Sequence, residues 1–286
     1  MPGPTRTLDL DAPIGVWQLH SAAPDQELAT SIVELWEVHG TLRPFRETLL
    51  PNGAAEIMFN LGPVHELHSD QGRGLWTDAW ISGLHERSLI IESLNGTHLV
   101  SARLHPLGAV QILGRSMASV ANSVVKPDAF FTNAADMRDE LLAAKNAAER
   151  FVILERLVGR LRYSIGERVP DFLWQATRLI DARHGNLKIS ELHDDVGVSR
   201  RHLSVMFSRY IGISPKRYAA IKRFTWTFEH LRGQANVDWS KLASDAGYSD
   251  QSHLVRDFKR VGAATPTEYL RLVTPDAAAL IDDAAR

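Results

Sequence analysis

The stretch that begins at Ile189 recurs, in residue type and spacing, from Trp239. Ile189 corresponds to Trp239, Leu192 to Leu242, Asp195 to Asp245, Gly197 to Gly247 and Ser199 to Ser249 at an offset of 50 residues. One residue is then inserted in the second copy. At an offset of 51, Leu203 corresponds to Leu254, Phe207 to Phe258, Arg209 to Arg260, Pro215 to Pro266 and Tyr218 to Tyr269. A repeat of this kind restricts the fold more than any composition does, because each copy must be the same small unit. Each reads as an amphipathic helix, a Gly that ends it with positive φ, a Ser able to cap the next helix, and then that second amphipathic helix. That order is a helix-turn-helix.

The second helix of each copy divides cleanly when its residues are turned by roughly 100° each. In the first copy Leu203, Met206, Phe207 and Tyr210 share the inward face. Arg201, Ser204, Val205 and Ser208 face out, with Arg200 and Arg209 on the flanks. In the second copy Leu254, Phe258 and Val261 face in. Ser252, Val255, Arg256 and Lys259 face out, flanked by Gln251 and His253. These outward residues are the types that read base edges in a major groove: Arg for guanine, Gln for adenine, Ser for either, and an exposed Val for a thymine methyl. Arg200 and Lys259 suit phosphate positioning equally well.

Between the copies, Ser214-Pro215 reads as an N-cap and first helical residue, and Gly233 as a stop. One helix of about 18 residues, roughly 27 Å long, fits between them. That length would hold two recognition helices near the roughly 34 Å of one duplex turn. Lys216, Arg217, Lys222 and Arg223 on this rod are open to phosphates or to plain solvation. Charge supports a phosphate-contacting module once it is divided along the chain. The 286 residues carry a net charge of -2, but residues 1–170 hold 15 Lys and Arg against 20 Asp and Glu, residues 171–273 hold 16 against 11, and residues 274–286 hold 1 against 3. A basic segment carried by an acidic one fits counterion release on binding nucleic acid.

With those residues in view, the stretch from about Phe172 to Leu272 resembles the DNA-binding domain of the AraC/XylS family of bacterial regulators. The most specific part is Gly247-Tyr248-Ser249-Asp250-Gln251-Ser252-His253-Leu254-Val255-Arg256-Asp257-Phe258-Lys259, followed by Thr265-Pro266 and Tyr269. The first copy matches through Val198-Ser199-Arg200-Arg201-His202-Leu203, Phe207 and Gly212-Ile213-Ser214-Pro215. The resemblance implies base contacts by Arg201, Ser204 and Val205 in one helix and by Gln251, Ser252, His253 and Arg256 in the other. Val261-Gly262-Ala263-Ala264 departs from the family, which usually has a basic-aromatic-Gly sequence there.

The N-terminal half has another texture. Ile32 to His39, Glu47 to Leu50, Glu56 to Leu61, Trp80 to Ser82, Ser88 to Glu92 and His98 to Leu104 read as short strands, separated by Pro51-Asn52-Gly53, Gly62-Pro63, Gln71 to Gly74 and Asn95-Gly96. Asn95-Gly96 predicts a hairpin. Strands at this spacing predict a sandwich or small barrel. Leu107 to Leu113, Ala134 to Ala144 and Ala147 to Tyr163 then read as helices. In the last of these, Phe151, Leu154, Leu157, Val158 and Leu161 make one apolar stripe, for packing on the β domain or for a dimer interface.

The expected fold class is therefore α+β: a β-barrel or sandwich with trailing helices over residues 1–168, an all-α double helix-turn-helix domain over 169–273, and a tail over 274–286. The first half also resembles an uncharacterised β-rich domain found ahead of AraC-type DNA-binding domains. Its marks are Leu50-Pro51-Asn52-Gly53, Glu56-Ile57-Met58-Phe59, Gly83, and Arg103 to Leu113 with Pro106-Leu107-Gly108. That resemblance implies a cupin-like sensor or dimerisation module.

Trp36, Phe59, Trp76, Trp80 and Arg103 are the candidates to line an effector pocket, since pockets combine apolar walls with a few polar groups. His20, His39, His65, His68, His85, His98 and His105 raise the question of a metal. His65 and His68, three apart on a strand, would point to opposite sides, and no metal site is expected. No nucleophile elbow, phosphate-cradling loop or zinc-protease helix is present, so neither an enzyme nor a cofactor is expected. With no cysteine and no long apolar run or signal peptide, the reading is a cytoplasmic, non-membrane protein. The partners expected are promoter DNA, a small-molecule effector, RNA polymerase and a second copy of the chain. The alternative is a ligand-independent DNA-binding protein whose N-terminal domain serves only oligomerisation.

Overall fold

The computed structural model describes residues 1–12, 15–69, 72–93, 96–165, 168–231, 234, 236–272 and 279–282. In chain order its elements begin with β1 (Arg6–Ala12), β2 (Gly15–Ala22), β3 (Ile32–Leu42), β4 (Phe45–Leu49), β5 (Ala55–Asn60), β6 (His65–Ser69), β7 (Gly72–Trp76), β8 (Ala79–Ser82), β9 (Leu89–Ser93) and β10 (Thr97–Leu104). Next come α1 (Pro106–Leu113), β11 (Val124–Val125), α2 (Ala134–Ala143), α3 (Ala147–Ile165), α4 (Asp171–Ala182), α5 (Ile189–Asp195), α6 (Arg200–Tyr210), α7 (Pro215–Leu231), α8 (Trp239–Asp245), α9 (Gln251–Gly262), α10 (Pro266–Leu272) and β12 (Ala279–Asp282).

The strands form two sheets, ordered β1-β2-β3-β10-β5-β8-β11 and β12-β4-β9-β6-β7. Alternation decides what each face does. Leu35, Ile57, Phe59, Ile81, Val100, Ala102 and Leu104 lie on one face of the larger sheet and are buried with residues of α1 and α3 in the main core. Met58, Trp80 and Leu99 lie on the other face and pack with Trp36, Val38 and Trp76 between the two sheets.

The apolar stripe of α3 is wholly used inside the chain: Phe151, Leu154, Leu157, Val158 and Leu161 are all buried in that core, so the stripe is not a dimer seam. A buried ion pair reinforces the contact. Arg150 of α3 donates twice to Glu37 of β3, at 2.7 Å each, and His98 lies 3.1 Å from the same carboxylate. Burial alone would raise the pKa of Glu37, but the hydrogen bonds from His98 and Arg150 outweigh it and lower the pKa.

Two strand expectations fail. Asn95 lies outside the described residues, and Gly96 has φ 93°, but the strands it joins do not form a hairpin. β9 pairs with β4 and β6, whereas β10 pairs with β3 and β5. The turn is a corner between sheets, closed by Ser93 Oγ donating to the Gly96 carbonyl. Turn chemistry demanding positive φ fits a corner as well as a hairpin. Within Gln71 to Gly74, expected as a turn, Gln71 lies outside the described residues, and Gly72 and Gly74 belong to β7. β1 and β2, read as no element, form an antiparallel hairpin on the edge of the larger sheet. Part of the C-terminal tail also pairs: Ala279 to Asp282 add to the edge of β4.

Candidate functional site

Both helix-turn-helix units are built by the same local chemistry. α5 ends at Gly197 (φ 70°) and α8 at Gly247 (φ 77°), the left-handed conformation that costs glycine least. In both units the amide hydrogen bonds that close the helix match: Gly197 to Asp194 O and Val198 to His193 O, Gly247 to Ser244 O and Tyr248 to Ala243 O. α6 is capped by Ser199, whose side chain accepts from His202 N at 3.2 Å. The cap of α9 is Asp250 rather than the expected Ser249, accepting from His253 N at 2.7 Å. Asp250 thus corresponds to Ser199 at the offset of 51, while Tyr248 still corresponds to Val198 at 50, so the extra residue of the second copy is Ser249.

Leu203, Phe207 and Tyr210 are buried, as are Leu254, Phe258 and Val261. On the outer face of α6, Arg200, Arg201, Ser204 and Ser208 are exposed, and Val205 is 56% exposed. On α9, Gln251, Ser252, Arg256 and Lys259 are exposed. Three details refine the sequence reading. Arg200 donates to Ser190 O at 3.0 Å, tying its guanidinium to the first turn of α5. Val255 is half-buried against the Ala243, Tyr248 and Leu254 cluster. His253 is also half-buried, its Nδ1 3.2 Å from Ser249 Oγ and its ring edge-on to Tyr248. From the flank of α9, His253 thus braces the turn.

α7 is a 17-residue helix, about 25 Å long, that begins with Pro215 and is capped by Ser214 Oγ accepting from Arg217 N. Gly233, its expected stop, lies outside the described residues. Of the four cations expected on this rod, Lys216 is exposed and three serve the fold. Arg217 pairs with Glu86 of the β domain, and Lys222 lies 3.4 Å from Asp181. Arg223 donates to Gly247 O at 3.2 Å and covers the Tyr248 ring at 4.9 Å.

Residues 192–272 match the family described as "Helix-turn-helix domain". The C-terminal region is an AraC-type helix-turn-helix domain. Residues 20–126 match "Domain of unknown function (DUF6597)". Over both parts together the chain shares the two-domain fold of ToxT from Vibrio cholerae: 10% identity, 84% of this chain and 99% of that one, TM-score 0.52. A second ToxT structure, bound to an unsaturated fatty acid, matches with 11% identity over 85% of this chain and 95% of that one, TM-score 0.50. An AraC-type regulator domain from Chromobacterium violaceum is 23% identical over 37% of this chain and 96% of its own, TM-score 0.34. No curated protein matches the chain significantly in sequence. Among the described residues no helix is long and apolar enough to cross a membrane.

The AraC-type domain shares a core with the first half, where Leu107, Met117 and Val120 are buried in one cluster with Leu203, Phe207 and Tyr218, and a loop adds a second contact. Leu50, just after β4, packs against the buried cluster of α7, α9 and α10 that holds Phe224, Phe258, Val261 and Tyr269. Pro51 O accepts from Thr225 Oγ1 at 3.4 Å. Gly53 (φ 72°) lies so close to α7 that a Cβ there would stand 2.8 Å from Lys222 Cε. Nearby, Ser88 N donates to Val261 O at 3.0 Å. His105 at the start of α1 stacks on Trp174 of α4 at 4.9 Å and lies 3.6 Å from Asp181.

Register places four of the five expected effector residues between the sheets. One row across the larger sheet reads Trp36, Ser101, Met58, Trp80, and the next reads Glu34, Arg103, Glu56, Ser82. Trp76 approaches from the smaller sheet, 5.8 Å from the Trp80 ring. Phe59 is the exception: it is fully buried on the opposite face with the helices, because a shift of one residue reverses a strand side chain.

Glu47 was not singled out from the sequence, and His65 was weighed there only as a metal ligand. Along the inner face of the smaller sheet, Glu47, Ile91 and Leu67 form one row and Ser93, His65 and Trp76 the next. His65 is 3% exposed. Neither of its ring nitrogens, nor Trp36 Nε1 or Trp76 Nε1, has a hydrogen-bond partner among the described residues.

His68 faces away from His65, as alternation requires. On that outer face Glu66, His68 and Glu92 bring their ligand atoms within 4.8 Å of one another. Arg46 pairs with Glu92 at 3.2 Å and Arg73 with Glu66 at 3.7 Å, so both carboxylates already have cations.

Proposed function

We propose that this protein is a cytoplasmic, non-enzymatic transcriptional regulator that reads promoter DNA with α6 and α9 and answers to a small molecule held between the two β-sheets. The observation that carries the DNA reading is the duplicated unit with two exposed polar and basic recognition faces. Arg201, Ser204 and Val205 of α6 and Gln251, Ser252 and Arg256 of α9 make the base contacts, while Arg200 and Lys259 position the helices on phosphates. His253, turned onto Ser249 and Tyr248, supports the α9 turn.

For ligand control the support is a physical connection. Glu47 precedes the 50–54 loop and Glu56 comes after it. Both lie on inward faces, and Asn52 within the loop donates to Glu56 at 3.3 Å. The loop in turn grips α7 and α9. A molecule that shifts β4 or β5 therefore moves the surface against which the recognition helices are set. ToxT, the fold neighbour, binds an unsaturated fatty acid, a precedent for ligand occupancy in this fold. A cupin-like sensor acting as a dimer and a contact with RNA polymerase complete the proposal.

Equilibrium binding of the full chain to its own upstream region, against scrambled DNA of equal composition across a salt series, tests the DNA reading. The expected result is a salt-dependent affinity with a clear preference for the upstream sequence. Equal affinity for both DNAs would overturn it.

A further inference from the structure

The two helix-turn-helix units are not anchored alike. The first belongs to the main core of the chain. Leu192, Leu203 and Phe207 of α5 and α6 are buried in one cluster with Leu107, Met117 and Val120 of the first half. Backbone packing tightens the same seam. Gly212, at φ 89°, follows α6 and lies so close to the 3-10 turn Met117–Ser119 that a Cβ there would stand 3.0 Å from Met117 O and 2.5 Å from Ala121 Cβ. Ser116 Oγ donates to Arg209 O in the last turn of α6. A closely packed interior resists deformation and transmits displacement, so α6 moves with the first half as one body.

The second unit has cores of its own. Ala243, Ala246, Tyr248 and Leu254 form one cluster, and Phe258, Val261 and Tyr269 form another with the end of α7. Its contacts with the first half lie at the rim of these clusters. Half-buried Leu50 joins the second of them, and Ser88 N donates to Val261 O at 3.0 Å. Beyond α10 the chain returns to the edge of β4 as β12.

The change from one core to the other falls within α7, where Ile221 belongs to the main core and Phe224 to the second unit. Two threonines sit at this change. Thr225 Oγ1 donates to Ile221 O at 3.0 Å and Thr227 Oγ1 to Arg223 O at 2.8 Å, each reaching back four residues. Such back-bonding slightly weakens a helix and often bends it.

We infer that α6 is the fixed recognition helix and that α8, α9 and α10 form a movable unit, swinging on the part of α7 between Ile221 and Thr227. Units with small cores and few ties open at lower free energy than the main core, and a helix that passes between two cores is where such a motion is absorbed. No effector is required: the anchoring alone decides which half of the DNA-reading surface adjusts. On the DNA reading above, α6 enters its groove in a set pose and α9 turns to meet the next one.

Hydrogen exchange of the full chain without DNA, followed peptide by peptide through a urea series below the unfolding transition, tests this. Core amides of α5 and α6 are expected to open together with those of α1 and α3, while those of α8 and α9 exchange about tenfold or more faster in a separate, earlier opening. Met117→Ala is expected to speed exchange in α1 and α6 together by about tenfold or more and to leave α9 unchanged within about twofold. Ser116→Ala, a milder cut at the same seam, is expected to speed the same two helices less, and it keeps the test open where Met117→Ala does not fold. Equal protection of α6 and α9, slower exchange in α9 than in α6, or either variant speeding α9 as much as α6 would overturn the inference. Because the pattern is read without DNA, it stands or falls separately from the preference for the upstream sequence.

Discussion

Arg256 stands on the exposed face of α9 with its Nε bonded to Ser252 O at 3.2 Å, leaving the rest of its guanidinium for a base edge. Arg256→Ala is expected to weaken specific binding by about 1–3 kcal/mol and to relax discrimination at one base pair. Binding to operators altered one base pair at a time checks this, and an equal loss on every sequence would make Arg256 a phosphate contact. Glu47 gives a second prediction. Its pKa is raised from 4.5 to about 7, so between those values the folded chain holds a proton that the unfolded chain has released. Stability therefore falls as pH rises through that window. Glu47→Gln removes the penalty and is expected to stabilise the ligand-free protein by about 1–3 kcal/mol near pH 8, with little effect near pH 4.5. Equal melting shifts at both pH values would contradict it. Glu47 was legible only in part. Alternation around Glu47-Thr48-Leu49 marks a strand but not which side faces in, and the same ambiguity put Phe59 in the pocket rather than the helix-facing core.

Helices were the most readable elements. The three-four spacing of α2 and α3 and the duplicated grammar of α5–α6 and α8–α9 are local signals, each contained in a few turns of chain. Strand partners are not local, which is why the corner at Gly96 read as a hairpin and the β1–β2 edge and β12 went unread. The Glu37–Arg150 pair joins β3 to α3 across 113 residues and has no sequence signature. Arg150→Ala leaves Glu37, 1% exposed, without its main cation. The expected loss is about 3–5 kcal/mol in urea unfolding, and a loss below about 1 kcal/mol would mean that His98 and solvent suffice. At the 50–54 loop, Leu50→Ala opens a gap beside Phe224, Phe258 and Val261 and is expected to cost about 1–3 kcal/mol. Faster amide exchange in α7 and α9 should accompany it. Unchanged exchange there would show that the loop does not hold those helices.

Across the whole molecule the charge division remains the broadest signal, but the structure spends much of it internally. Arg217, Lys222 and Arg223 brace α7 against the β domain, α4 and the second turn, while α6 and α9 keep exposed basic and polar side chains. On the proposed reading, the rod between them, about 25 Å long, would let one chain present both to one side of a duplex. Base-resolved protection of the major groove on the upstream DNA, with wild-type protein, Arg201→Ala and Arg256→Ala, tests that claim most directly. Two protected segments about one helical turn apart are expected, one weakened by each variant. A single protected segment, or loss of both segments together in either variant, would contradict it.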